Sequence, residues 1–436
     1  MKNLMDYQKH LKQIKNGGIF IFLKKLKTFF YFFLKLPFYL FSIPLIILIR
    51  LMKPWLLIRW DILTSSRIGH FATDSELYLC RLEAKINIPK QKYIDIFFLN
   101  SEWVCNNQLE KMLRRSLLIF PSFLMFPLHR TNRFLNLFIK GGDYHEIGIN
   151  PDEDRDVYNI VHKYKPHIDF TKSEELMGRK ILNNLGIPIT AKIVCLIVRD
   201  SAYLDRYREL TTRDFNYHKF RDGNIDNYIL AAEELAKRGY YVFRMGLKVL
   251  KPLKTSNPKI FDYANSKIRS DFMDIYLGAK CTFCISTALG YDAIPFVFRK
   301  PIAFVFMPFG HMRVDSEKDL LITKHFLNKE NRKKLTISEI FDTGVALTFH
   351  NEEYEKKGVE LKENTPEEIK DFVIEMEERI SGNWKETQED LILQKKFWHV
   401  FEKNIEKLNL QDSMYGMKKR SKFSATYLKN NQDWIK

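Results

Sequence analysis

Arg199, Asp200 and Ser201 follow directly on the apolar run Val194-Cys195-Leu196-Ile197-Val198. That run is short enough for a fully buried strand, so a guanidinium, a carboxylate and a hydroxyl arrive together at its carboxyl end. The pattern recurs. Arg244 and Gly246 close "YYVFRMG", Ser270 and Asp271 open "SDFMDIYLGAK", and Ser286 and Thr287 follow "CTFCI", with Gly290 three residues on. In open parallel sheets, ligands bind outside the carboxyl ends of the strands. Two arginines there suit forked recognition of phosphate oxygens. A helix starting at Ser286-Thr287, with Gly290 in its first turn, offers N–H donors and a positive dipole end to an anion. Together these residues describe a diphosphate site in which Asp200 and Ser201 bond ligand hydroxyls or orient Arg199. Taken singly, Ser270, Asp271, Ser286 and Thr287 also read as helix caps, and Arg199 as half of an ion pair. No glycine-rich loop of Walker or dinucleotide type is present.

A second polar cluster, "TSSRIGHFATDSE", follows the first expected strand and supplies Arg67, His70 and Glu76. A base working near neutral pH needs a histidine or a tuned carboxylate. His70 has an equal reading as a structural histidine in the turn after Gly69. Asp152-Glu153-Asp154 has the D-x-D form of some metal sites, but negative charge at a helix start needs no metal, so no metal is expected. Cys281-Thr-Phe-Cys284 lacks a second such pair and lies in a strand-like run, which favours buried thiols. The five cysteines are odd in number and several sit in apolar runs, pointing to reduced thiols and a cytosolic face.

The elements that must position these groups alternate along the chain. "LLIRWDIL", "YIDIFFLN", "KIVCLIVRD", "YYVFRMG", "CTFCIS" and "KPIAFVFM" read as strands. Between them, "DSELYLCRLEAK" reads as a helix capped by Asp74 or Ser75, "NNQLEKMLRRSLLIF" as helical, and "KSEELMGRKILNNLGIP" as a helix ending at Gly186. "DNYILAAEELAKRG", "SDFMDIYLGAK" and "TALGYDAIPFVF" are further helices, and "TPEEIKDFVIEMEERI" is a late one with a Thr365…Glu368 capping box. Such alternation indicates parallel sheets covered on both faces. The 436 residues suit two α/β domains facing across a cleft. The expected segments are 1–54, 55–187, 188–385 and 386–436, the last a helix and a basic tail.

The net charge of +17 is uneven. Residues 1–60 hold eleven Lys and Arg against one acid, Asp6, and residues 411–436 hold six against two, which leaves residues 61–410 at +3. A nucleic-acid binder would carry its charge as a stripe on the folded surface. Here the charge sits at the two ends beside aromatic and apolar residues, so no nucleic acid is expected, and an anionic membrane surface is. The longest uncharged stretch, 36–49, would make a helix of about 21 Å against a hydrocarbon core of ~30 Å. Pro37 and Pro44 interrupt it, and both flanks are basic. An in-plane, monotopic or peripheral segment fits better than a single transmembrane helix. A hydrophobic hairpin covering its own domain is the alternative.

"SSRIGHFATDSELYLCRLE", "VCLIVRDSAYL", "GYYVFRMG", "SDFMDIYLGAKCTFCISTALG", "FRKPIAFV", "NTPEEIKDFVIEMEERISGNW" and "FWHVF" resemble a family of bacterial glycosyltransferases from cell-surface polysaccharide gene clusters. The resemblance runs from about residue 60 to 400. It implies a GT-B-like transferase of two Rossmann-like domains, taking a sugar from a nucleotide-sugar donor to a lipid-linked or other glycan acceptor at the cytoplasmic face of the inner membrane. The donor is a substrate, and no cofactor is implied. Arg199 is also similar to the arginine with which some GT-B fucosyltransferases hold the donor pyrophosphate. Two rival expectations are a nucleotide-sugar epimerase of the same architecture and a non-catalytic membrane scaffold of polysaccharide assembly.

Overall fold

All six apolar runs expected as strands form strands, but they are shared unequally between two parts of the chain. The computed structural model describes residues 19, 23, 26, 36–101, 103–149, 155–203, 216–305, 309–312, 316–413, 415 and 420–436. Contacts group the chain into two units. The first comprises Met1–Leu63, Pro89–Glu102 and Leu117–Gly148, and the second Thr64–Ile88, Trp103–Ser116 and Ile149–Lys436. This grouping cuts across the segments expected to meet at 54/55 and 187/188.

In the first unit, β1 (Leu57–Leu63) and β2 (Tyr93–Leu99) pair in parallel, with Leu57 opposite Tyr93. Trp60 of β1 and Phe98 of β2 form a core with Ile46 and Ile49 of a helix over 36–52 and Met125 of helix Ser122–Leu135. Ser42, Ile46 and Ile49 are that first helix's buried positions, the i, i+4, i+7 spacing of one helical face. Residues 42–49 are therefore built into a folded core. Among the described residues no helix is long and apolar enough to cross a membrane.

Among the described residues the first half builds a two-stranded sheet and not the second large sheet that was expected. After β2 the apolar run at 117–120 makes only an isolated bridge, Phe97 to Ile119, and the next apolar segment becomes helix Ser122–Leu135.

The second unit is built on seven strands. They are β3 (Lys192–Ile197), β4 (Tyr240–Arg244), β5 (Ile260–Phe261), β6 (Phe283–Ser286), β7 (Ile302–Phe304), β8 (Leu320–Leu321) and, after an antiparallel pair β9 (His325–Asn328) and β10 (Val359–Lys362), β11 (Lys422–Phe423). Their order is β11-β8-β7-β6-β3-β4-β5, and every pairing is parallel. The chain starts at the centre with β3, steps outward through β4 and β5, then returns to β6 on the other side. That reversal makes a topological switch point beside β3. Cys195, Cys281 and Cys284 are buried free thiols.

The helices obey local rules with three departures. Thr365 caps helix Pro366–Ser381 in the expected box with Glu368. The helix expected from Asp74 or Ser75 begins instead at Ile68, so both would-be caps are buried in its interior. The helix expected through Phe120 stops at Ser116. The helix expected over 287–298 shrinks to a turn, Gly290–Asp292, and five residues, Ala293–Val297.

Candidate functional site

Register brings the central strand ends together. Ile197 of β3 lies opposite Ser286 of β6, and Leu196 lies opposite Arg244 of β4. Just past β3, the backbone N–H of Arg199 donates to Thr287 Oγ1 at 2.9 Å. Thr287 N–H donates to the Ile197 carbonyl at 3.3 Å. Arg199, Asp200, Arg244, Ser286 and Thr287 thus share one edge of the sheet. There a cavity of about 560 Å³ opens, and its wall includes Asp200, Asp222, Arg244, Lys324, Tyr354 and Glu363.

Arg244 is 1% exposed. Its Nη1 donates to Asp262 Oδ1 at 3.1 Å, and its Nη2 stands 3.8 Å from Asp200 Oδ2. Its Nε has no hydrogen-bond partner, nor has the buried hydroxyl of Tyr354. A buried, unsatisfied polar atom is costly, so these two mark where a ligand could complete the wall. Phe220 packs at a tilt against Tyr354, 5.1 Å between ring centroids, and adds aromatic surface to the wall.

Lys324 is the second buried cation. Its Nζ donates to the carbonyls of Phe220 (2.8 Å) and Asp222 (2.9 Å). Burial pulls its pKa down to about 8, with Glu363 and Asp222 opposing that fall. Asp222 also accepts from Arg199 Nη1. Burial pushes the Asp222 carboxyl above the usual range, with Arg199 and Lys324 opposing.

The expected residues divide into those at the cavity and those used elsewhere. Asp200 and Arg244 line it. Arg199 is not among the lining residues; its guanidinium is bound to Asp222, the ion-pair alternative for this residue. Gly246 has φ +154°, and a Cβ there would come within 2.7 Å of Val249, so it shapes the turn after β4. Ser201 is half-buried two residues past Arg199.

The helix start expected to hold an anion is occupied by its own chain. Ser286 Oγ donates to Asp292 Oδ2 at 3.0 Å and accepts from Ala288 N–H. The Leu289 N–H is held by Asp292 at 3.0 Å. Gly290 meets Gly69, where a Cβ would sit 3.1 Å from the Gly290 Cα. Ser270 caps its helix through Met273 N–H. Asp271 accepts from Asn107 N–H and Nδ2 at 2.9 and 2.7 Å. Ser270, Asp271, Ser286 and Gly290 are thus engaged in capping and packing, and Thr287 Oγ1 in holding the Arg199 backbone.

In the second cluster, Arg67 takes the position before helix Ile68–Glu83 with no side-chain cap. His70 Nδ1 lies 3.4 Å from Asp74 Oδ2. The Gly69–Gly290 contact puts this first turn at the edge of the sheet where β6 ends. Glu76 is 1% exposed and locked: Oε1 meets His167 Nδ1 at 2.9 Å and Arg299 Nη2 at 2.5 Å. Glu76, Cys80 and His167 have metal-ligand spacing. However, Arg299 Nη2 also stands 3.6 Å from Cys80 Sγ and supplies the positive charge an ion would bring. Hydrogen bonding to Glu76 raises the His167 pKa, so the imidazole strengthens as a second cationic partner. Glu76 is an ion-network residue, not a free base. Asp152 and Asp154 lie outside the described residues.

Sequence reasoning missed Lys324, Asp222 and Tyr354. Lys324 could have been found, because it follows the apolar run Leu320-Leu321-Ile322 with only Thr323 between, much as Arg199 follows its own run. Asp222 and Tyr354 carry no such signal.

Fold and site together define an α/β protein with a doubly wound parallel sheet and a polar cavity at its carboxyl edge. No family model and no curated protein matches the sequence. Solved structures that align with part of the chain include the ADP-heptose LPS heptosyltransferase II of E. coli, with TM-score 0.34 and 12% identity over 57% of this chain and 85% of that one. A glycosyl transferase family 9 protein from Veillonella parvula aligns with TM-score 0.34 and 9% identity over 58% and 80%. A UDP-GlcNAc 2-epimerase from Neisseria meningitidis, bound to UDP-GlcNAc, aligns with TM-score 0.25 and 11% identity over 75% and 100%.

Proposed function

We propose that this chain is a glycosyltransferase whose second unit binds a nucleotide-sugar in the cavity at the ends of β3 and β4. The observation that carries the reading is the buried pair of cations, Arg244 and Lys324, at a cavity of about 560 Å³ that also offers an aromatic wall. Arg244 and Lys324 neutralise the diphosphate as it leaves, which stabilises developing charge at a preorganised site. Phe220 and Tyr354 flank the base, and Asp200 and Glu363 accept from donor hydroxyls. Arg199 acts through Asp222, holding that carboxylate at the wall. No step in this scheme asks for a metal. His70, oriented by Asp74, removes the acceptor proton. Arg67 lies on the same turn and attracts an anionic acceptor. The acceptor is a lipid-linked glycan precursor, and the basic, apolar first sixty residues hold the enzyme at the cytoplasmic face of the membrane where it is found.

Calorimetric titration with UDP, GDP and ADP and with their sugar conjugates tests this. One nucleotide series is expected to bind, and Arg244→Met to weaken it about tenfold to a hundredfold, the worth of a charge-assisted hydrogen bond. His70→Asn is expected to abolish transfer and leave nucleotide binding unchanged. Binding of none of the nucleotides would remove the donor assignment. Isomerisation of the bound donor without transfer would make the protein an epimerase.

A further inference from the structure

The first unit has an apolar face that its own folding leaves uncovered. Helix 36–52 turns Ser42, Ile46 and Ile49 inward, yet its opposite side is not polar. Leu40, Phe41, Ile47, Leu48 and Leu51 are 44–73% exposed. Helix Ser122–Leu135 runs beside it in the same direction: Phe38 meets Phe123 at 6.4 Å between ring centroids, and Arg50 further along meets Asn132 Oδ1 at 3.0 Å. The outer residues of this second helix, Phe123, Leu124 and Phe134, are exposed as well. The turn that follows adds Leu137, Phe138 and Ile139, each more than half exposed. Arg50 Nη1 holds the Ile139 carbonyl at 2.8 Å, which fixes that turn at the end of helix 36–52 beside Leu51. Scattered exposed apolar residues are ordinary, but a run of them across two neighbouring helices marks an interaction surface.

We propose that this face docks in the plane of an anionic bilayer. The inference deepens the membrane reading above and rests on it. It adds that residues 123–139, far from the basic front end in sequence, insert alongside helix 36–52. Three observations choose the bilayer as occupant. Arg130 and Lys140 are exposed on the second element, and the sequence of residues 1–60 carries eleven Lys and Arg against one acid, so the chemistry that matches this face is anionic. A second copy of the chain would bring like charges together, whereas anionic headgroups neutralise them.

The borders carry interfacial anchors. Trp55 is 76% exposed, and Lys53 Nζ lies 3.0 Å over the exposed Tyr144 ring, the amphipathic pairing found at headgroup level. Finally, helix 36–52 is about 25 Å long, short of the ~30 Å hydrocarbon core, and its inner side is packed on Trp60 and Phe98. It lies on the membrane and does not cross it.

Flotation with vesicles made of equal parts phosphatidylcholine and phosphatidylglycerol tests the proposal on the full chain. Wild-type protein is expected to float with them and to be released by phosphatidylcholine-only vesicles or high salt. The double variant Leu137→Ser/Phe138→Ser is expected to bind at least about tenfold more weakly, since it removes two large apolar side chains from the inserted face. Its melting curve is expected to be unchanged, because both side chains are exposed. Equal binding by this variant, with release by Lys24→Glu/Lys25→Glu/Lys27→Glu, would overturn the face and leave the front-end anchor standing. No binding by the wild type would end both readings. A wild-type dimer that Leu137→Ser/Phe138→Ser dissociates, with no vesicle binding, would assign the face to a second copy and overturn the proposal.

Discussion

A lysine held between two backbone carbonyls and out of water is charged only at a cost. Lys324 has that position, and its pKa of about 8 turns the cost into two pH dependences of opposite sign. An anionic ligand binds the protonated form. Affinity for the nucleoside diphosphate is therefore expected to fall as pH rises through about 8, by up to tenfold per unit until the bound-state pKa is reached. Lys324→Met should bind weakly and lose that fall. Stability moves the other way. Between about pH 8 and the ordinary lysine value of 10.5, the unfolded chain holds more protons than the folded one, so the unliganded protein gains stability with pH over that window. Calorimetric titration and thermal melts across pH 7–10 read both slopes; a flat affinity profile would take Lys324 out of the site.

At the level of elements, close packing without a side chain is decisive in one place. Gly178 of helix Lys172–Asn184 lies on the Tyr276 ring, and a Cβ would fall 2.3 Å from Cζ. The ring is held on other sides by Phe170 and Phe272, so it has little room to yield. Gly178→Ala is expected to destabilise the second unit by about 1–3 kcal/mol despite alanine's better helix propensity; a raised melting temperature would refute the contact.

Elements of this unit were legible where one local signal decided them. β3, β4 and β6 are short apolar runs ending in polar residues, and Thr365 announces its helix by a capping box. The first turn of helix Ile68–Glu83 was not legible, because Asp74 and Ser75 look like caps and only tertiary burial makes them interior. The anion-binding helix start also failed. Asp292, five residues after Thr287, takes the amide on which that expectation depended. Of the cavity, Asp200 and Arg244 were readable from strand ends. Tyr354 and Glu363 come from the segment around β10, and nothing local places them there.

Across the whole molecule, the two units are interleaved along the chain, so parts of the second unit are made long before their partners. The buried carboxylate of Glu76 waits for Arg299, 223 residues downstream. At roughly 5–20 residues per second of synthesis that is a delay of about 11–45 s. Throughout it, helix Ile68–Glu83 has neither its guanidinium partner nor the Gly290 turn that it packs on. The molecule's earliest-made helix of the second unit is thus among the last to be locked. During translation it is a segment for a chaperone to hold or a protease to find. Ribosome-bound chains arrested just before Arg299 are expected to be cut within residues 68–83 by limited proteolysis, while chains extended well beyond it are protected. Equal protection at both lengths would mean that the helix finds an earlier partner. Birth order, as much as the finished contacts, then sets when this protein becomes safe from its own cell.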